Sequence, residues 1–517
     1  MKKLSMALAV IICAMLLLTG CDVAGATGGL INFENIANNL EGIGELLESI
    51  GDISSLLDDF NNNGNGAMDT MPGIMDGESW ESAILTETVR PEYPDGTDFP
   101  GYDGVDYGGR EFKIIFANEN NGWASMGYNE GSVINSYVYD RNVAIEERLN
   151  ISISNECIYE SYVGEKNLLN HVQTLCMAGL SADLVVGQTS TVQTLALNGY
   201  MGNWNNTGVD LNAQWWYQDA KDQFTTEGGR LYSLAGDGSH AILANTLVTF
   251  VNRDFFEMYG FSTDYIYNEV RCGNWSYEIL YQYSQKVSKD VNGDGVLGDG
   301  DRVGYYISSA SANAVIAATG EHLLENNGGW GFNGNTKRLN DICEYVCNKD
   351  WSFSLVSKAE FMKGNVLFLT ERLEYAEELW NNGINYAVVP TPNYQGNSYS
   401  SLVSISAPVI GYCSDVDAEL VADVVDLMGY YGSNQTLSEY LFVVAPRSDD
   451  FEMMEIVRST MFFDHEYLMA STGNLYSQLS SMIMNKENNV MATIKAYQAK
   501  VENEVKNWSG GLDKLPY

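Results

Sequence analysis

Apolar positions along this chain change period several times, and each change predicts an element. Lys113 to Phe116 reads as a strand. From Ser132 to Leu149, the residues Ile134, Tyr137, Val138, Ile145 and Leu149 fall on one face of a helix, and Ile151 and Ile153 then restart a period of two. That succession opens a βαβ unit. Asp183-Leu184-Val185-Val186-Gly187 is a buried strand ending in a glycine turn, and Leu247 to Val251 is another. Such alternation implies an open α/β sheet with helices on its faces. At 517 residues the chain is too long for one compact core, so two lobes are expected.

Before Phe112 the texture differs. Lys2 and Lys3 precede an apolar run through Met6 to Leu18 that ends in Leu18-Thr19-Gly20-Cys21. The run is shorter than the roughly 20 residues a spanning helix needs, and its three regions follow the order of a secretion signal. The ending resembles a bacterial lipobox, which implies cleavage before Cys21 and a lipid on that residue. Residues 22–105 are acidic, with Arg90 as the single basic residue and with Asn-Gly runs, so the segment self-repels and stays extended. Within them Ile36, Leu40, Ile43, Leu47, Ile50, Leu57 and Phe60 recur at helical spacing, although Gly42, Gly44 and Gly51 weaken the pattern. The segment is expected to act as a spacer between a membrane surface and the globular body.

The formal net charge of −40 repels phosphate backbones and anionic lipid surfaces, so no nucleic-acid partner is expected. Cys157, Cys176, Cys272, Cys343, Cys347 and Cys413 are scattered without a metal-type CxxC pair, and their connectivity is not legible. His171, His240, His322 and His465 are isolated, and no GxSxG, HExxH or Walker loop occurs.

One motif carries metal chemistry. Asp290-Val291-Asn292-Gly293-Asp294-Gly295-Val296-Leu297-Gly298-Asp299-Gly300-Asp301 places oxygen side chains at loop positions 1, 3, 5 and 12, with Gly295 at the sharp turn. Asp290, Asn292, Asp294, the Val296 carbonyl and Asp301 are the expected ligands of a structural Ca2+ ion. Asp301 stands where a bidentate Glu is usual, and no second copy follows to make a paired switch.

Several pieces, taken in order, resemble the extracellular solute-binding proteins of ABC importers, in the broad family 1 group that includes maltose-binding protein. They are YGGREFKIIF, VINSYVYDRNVAIEERLNISI, SADLVV with LALNGYMGNW, LVTFVNRDFFEMYG, GNWSYEILYQYSQKVSKDVNGDG, Gly328-Gly329, EFMKGNVLFL and NYAVVPTPNYQG. The resemblance implies a two-lobed periplasmic-binding-protein-like (type II) α/β fold with hinge strands between the lobes. Residues 1–20 form the signal, 21–105 the anchor and linker, and 106–250 a first lobe completed by about 405–450. Residues 251–404 form the second lobe, joined by part of the helices of 451–517. Crossings are expected near Phe250 to Asn252 and Ser404 to Ile410.

The resemblance further implies a monomer that carries a small solute, a sugar foremost, to a permease from the outer face of the membrane. Cleft loops begin where strands end, which selects Asn118, Glu119, Trp123, Gln188, Thr189, Asp237, His240, Trp330, Glu371 and Arg372 as solute contacts. One departure stands out: many sugar-binding relatives place a stacking Trp after the Phe-x-x-Gly segment, whereas Phe361-Met362-Lys363-Gly364 leads here to Thr370-Glu371-Arg372. That suits a polar or zwitterionic solute, or a pairing of Arg372 with a carboxylate of the other lobe. Two rival classes are a secreted glycoside hydrolase, with an unmarked carboxylate pair, and a surface scaffold, which would need repeats that the chain lacks.

Overall fold

Twelve strands arrange themselves into two four-stranded sheets and two short ribbons in the computed structural model, which describes residues 102, 104–117, 122–124, 133–160, 165–334, 336–352, 357–395, 398–469 and 475–516. All of these residues belong to the unit Gly77–Tyr517. The signal, Cys21, the linker with its amphipathic stretch, and Asn118 and Glu119 lie outside the described residues. No helix among the described residues is long and apolar enough to cross a membrane.

The strands are β1 (Arg110–Ala117), β2 (Ile151–Ile158), β3 (Leu184–Gln188), β4 (Leu247–Asn252), β5 (Val303–Tyr305) and β6 (Leu324–Asn326). They continue as β7 (Trp330–Phe332), β8 (Val366–Arg372), β9 (Tyr386–Pro390), β10 (Ser401–Leu402), β11 (Pro408–Tyr412) and β12 (Met461–Phe462). The first sheet has the order β11-β3-β1-β2. Its inner strands are parallel, and Phe112, Ile114, Ile115 and Phe116 of β1 are fully buried, as expected where helices cover both faces. Helix Val133–Leu149 supplies part of that cover through Ile134, Val138, Ile145 and Leu149.

The second sheet has the order β5-β8-β4-β9, and β4, buried along its whole length, runs antiparallel to both neighbours. This moves the first crossing. Phe250 pairs with Leu369 and Val388 inside the second sheet, so the chain has already crossed at 244–246, earlier than the resemblance suggested. The strand begins at Leu247, which pairs with Arg372, and from Val248 onward its apolar run has partners on both sides. The return runs through 403–407 into β11, which pairs antiparallel with β3 and so completes the first lobe. A third pass lies at 445–447. Helix Leu437–Val444 packs on Val133–Leu149 of the first lobe, and helix Ser448–Ser459 packs on β9 of the second.

The first two passes are bonded to each other, Ser404 N donating to Asn245 O at 2.9 Å, and the residue after β8 also holds the first, Leu373 N donating to Thr246 O at 2.9 Å. Helix Val490–Leu512 ties both lobes, packing on β7 and reaching Gln193 of the first lobe through the Trp508 indole N–H at 3.1 Å. Gly328, at φ 83°, and Gly329 form the turn between β6 and β7.

Candidate functional site

In the second sheet the carboxyl ends of β8 and β9 lie beside the start of β4 and therefore face the first lobe. In the first sheet, β3 ends at Gln188 opposite Pro408, where the chain re-enters from the second lobe. The cleft lies between these strand ends, as general α/β topology requires.

A cavity of about 400 Å³ opens at the junction of the lobes beside the end of β8, lined by His240, Asn245, Lys358, Glu371, Arg372, Tyr375 and Tyr440 together with Glu374, Glu377 and Glu378. His240, Glu371 and Arg372, selected from sequence as strand-end residues, are brought together in its wall. Short helix His240–Ala244 carries the histidine and is capped by Ser239, whose side chain accepts from Ala241 N. Glu371 and Arg372 close β8. Arg372 donates to Asn245 Oδ1 at 3.0 Å and pairs with Glu374 at 2.7 Å, while Glu371 pairs with Lys358 at 2.7 Å. The carboxylate partner of Arg372 is thus two residues along its own lobe, and its reach across the junction ends on an amide.

Two polar atoms in the wall lack a hydrogen-bond partner, the Tyr440 hydroxyl and His240 Nδ1. Their rings lie 5.1 Å apart, tilted by 37°. Burial, and then the nearby Arg141 cation, pulls the His240 imidazole down to about 3, so it is neutral near pH 7 and offers one donor and one acceptor. Burial likewise raises the Tyr440 hydroxyl, keeping it protonated.

Other sequence candidates have different surroundings. Trp123 is fully buried and stacks on Trp216 at 6.4 Å, and its carbonyl accepts from the buried Arg141 at 2.6 Å. Gly238 permits that packing, because a Cβ there would fall 2.2 Å from the Trp123 ring. Asp237 is fully buried and engaged by Arg458 and by the Tyr217 hydroxyl at 2.6 Å. Trp330 is 1% exposed, donates its indole N–H to Thr225 O at 3.2 Å and packs between His465 and Trp508, so its ring has no face turned to a solute. Gln188 and Thr189 stand at the end of β3, where Gln188 N donates to the Glu165 carboxylate at 2.7 Å. Lys358, Glu374 and Tyr440 escaped sequence reasoning. Tyr440 comes from the return segment of the first lobe, and no local pattern marks it as a neighbour of Arg372.

The Asp-rich loop precedes β5. Carboxylate oxygens of Asp290, Asp294 and Asp301 lie within 4.8 Å of one another, a span that fits oxygens around one Ca2+ at 2.3–2.6 Å each. Asn292 joins them through a hydrogen bond to Asp294 at 3.1 Å. The N–H groups of Gly298, Val291 and Asn292 hold the Asp301 carboxyl below the usual range. A carboxylate has room for a metal beside such donors, so the residues present fit the ion.

No protein-family model and no curated protein matches the sequence. Solved structures do. A cyclo/maltodextrin-binding protein complexed with maltotetraose is 14% identical, the match covering 77% of this chain and 97% of that one with a TM-score of 0.50. UspC of M. tuberculosis, 13% identical, matches over 76% of this chain and 99% of its own at 0.49. An ABC substrate-binding protein from Listeria monocytogenes in complex with cycloalternan, 12% identical, matches over 78% and 99% at 0.48. The chain has the two-lobed periplasmic-binding-protein-like fold, similar to that of ABC solute-binding proteins of the maltodextrin-binding, family 1 type.

Proposed function

We propose that this chain is an extracellular carrier that takes a small carbohydrate into the interlobe cavity and delivers it to the permease of an ABC importer. A lipid on Cys21 tethers it to the outer face of the membrane, and the acidic linker lifts the body off that surface. The cavity is the observation that carries the reading: it lies at the junction of the lobes, where the end of β8 meets the helix His240–Ala244, the crossing residue Asn245 and Tyr440, and its volume falls within the range of small-molecule sites, about 300–1,000 Å³. Its chemistry suits hydroxylated rings. Tyr375, Tyr440 and His240 offer aromatic surface, while Asn245, Glu371, Glu374 and Arg372 offer planar polar groups for hydroxyls. The fold shared with a protein complexed with maltotetraose supports the same class of solute.

Closure about the few residues at 244–246, 403–407 and 445–447 makes the loaded form distinguishable to a permease. The Asp-rich loop holds a structural Ca2+ that stiffens the approach to β5, and the carrier works as a monomer without chemical turnover. A thermal-shift screen of the full chain against mono- and oligosaccharides tests the reading. A solute at a hundred times its dissociation constant adds about 2.7 kcal/mol of stability. Release of reducing sugar from the same panel, or no shift with any sugar, contradicts it.

A further inference from the structure

Lobe 1 is assembled from two stretches of chain separated by the whole of lobe 2, and two cysteines meet at their seam. Cys176 lies in the last turn of helix Lys166–Ala178, and Cys413 directly follows β11. Their sulfurs are 3.8 Å apart across a sequence separation of 237 residues. A disulfide needs about 2.05 Å, so a small side-chain rotation brings them to bonding distance. The surrounding backbone is well fixed. The residues after the helix turn through Gly179, whose N–H bonds to Cys176 O, and Cys413 is bridged to Met201 in an antiparallel contact.

We propose that Cys176 and Cys413 form a redox-active pair that closes, in an oxidising compartment, into a disulfide stapling the outgoing and returning halves of lobe 1. Access differs between the two thiols in the way such chemistry requires. Cys176 is half-buried and reachable from solvent, whereas Cys413 is buried beneath it. The hydrogen bond from Cys413 pulls the Cys176 thiol down to about 7, and the same contact, with burial, pushes Cys413 well up. Cys176 is therefore the attacking thiolate, since the thiolate is the reactive form. It attacks one sulfur of a disulfide donor, forming a mixed disulfide and expelling one donor thiolate. Cys413 then gives up its proton and attacks the Cys176 sulfur, expelling the second. Two protein thiols and one donor disulfide become one protein disulfide and two donor thiols, so electrons and protons balance.

The bond closes a loop that contains all of β4 to β9, so it restrains the unfolded chain strongly and raises the melting temperature by about 5 °C. The test uses the full chain, reduced, then exposed to oxidised glutathione, alkylated and digested without reduction. The expected product is a single cross-linked peptide pair joining Cys176 to Cys413, with Cys157, Cys272, Cys343 and Cys347 as internal controls. In Cys413→Ser the donor stays attached to Cys176, because nothing resolves it. Should that variant fold poorly, Cys176→Ser, at the half-buried member, supplies the second reading: its melting temperature no longer responds to the oxidant. Wild-type chain in which Cys176 and Cys413 are both alkylated after oxidation, or in which Cys176 pairs elsewhere, overturns the proposal.

Discussion

Arg253 and Arg372 stand at opposite ends of the second sheet, one just past β4 and the other at the last position of β8, and the chain treats them in opposite ways. Arg253 is fully enclosed, with its donors taken by Tyr386 O, Thr263, Tyr267 and Asp450, the last at 2.6 Å. Arg372 is 32% exposed at its side chain and holds Asn245 and Glu374 at a cavity wall. One end of the sheet is sealed by helix Ser448–Ser459, which brings Asp450. The other faces lobe 1 and leaves its charged groups open to water. A charge at a strand end is thus sealed in or left open to water according to which element caps that end, and the cap arrives from distant sequence.

The largest expected effect breaks the sealed end. Asp450→Ala leaves the Arg253 guanidinium buried without its counter-charge, at a cost of about 3–5 kcal/mol in urea unfolding. Arg372→Ala should cost less than about 1 kcal/mol in the same assay, because water reaches that pair. Equal losses at the two arginine sites would erase the distinction.

Next in size is the metal loop. A chelator should lower the melting temperature by removing about 2–3 kcal/mol of linked stability when Ca2+ stood at a hundred times its dissociation constant. Asp290→Ala should abolish that response while sugar affinity stays unchanged. A chelator-insensitive melting curve in the wild-type chain would remove calcium from the account.

The open end is sharpened by affinity. Arg372→Ala should weaken the best oligosaccharide about tenfold or more in titration calorimetry, as expected for lost hydrogen bonds to a charged group. Unchanged affinity would mean that the wall of this cavity does not touch the solute.

A further effect lies in pH. Burial raises Glu466 to about 8 and Glu165 and Asp426 to about 7, against about 4 in an unfolded chain. The folded state therefore holds these protons more tightly. Their contribution to stability is complete below pH 4 and is lost as pH rises through 7 to 8. The melting temperature should fall between pH 5.5 and 8.5, and Glu466→Gln, neutral throughout, should flatten the slope.

Much of the fold was legible because buried strands and helices write their period into local sequence. The strands at Leu184 and Leu247 and the helix that ends at Leu149 all lie where pattern reasoning put them. The crossing was misplaced by a few residues, since an apolar run does not say which sheet will pair with it. Site residues were harder. Trp330 and Asp237 carry the residue types of a binding cleft, yet the groups that engage them, Trp508 and Arg458, come from a C-terminal segment with no local signal of its destination. Tyr440 was silent for the same reason.

Small-angle scattering of the full chain, titrated with the oligosaccharide that gives the largest thermal shift, tests the central claim most directly. The account predicts a radius of gyration that falls and levels off at one equivalent as the lobes close, with Arg372→Ala shifting the curve to higher concentration. A radius that does not change while the sugar binds, or that changes without saturating, would contradict a hinged carrier.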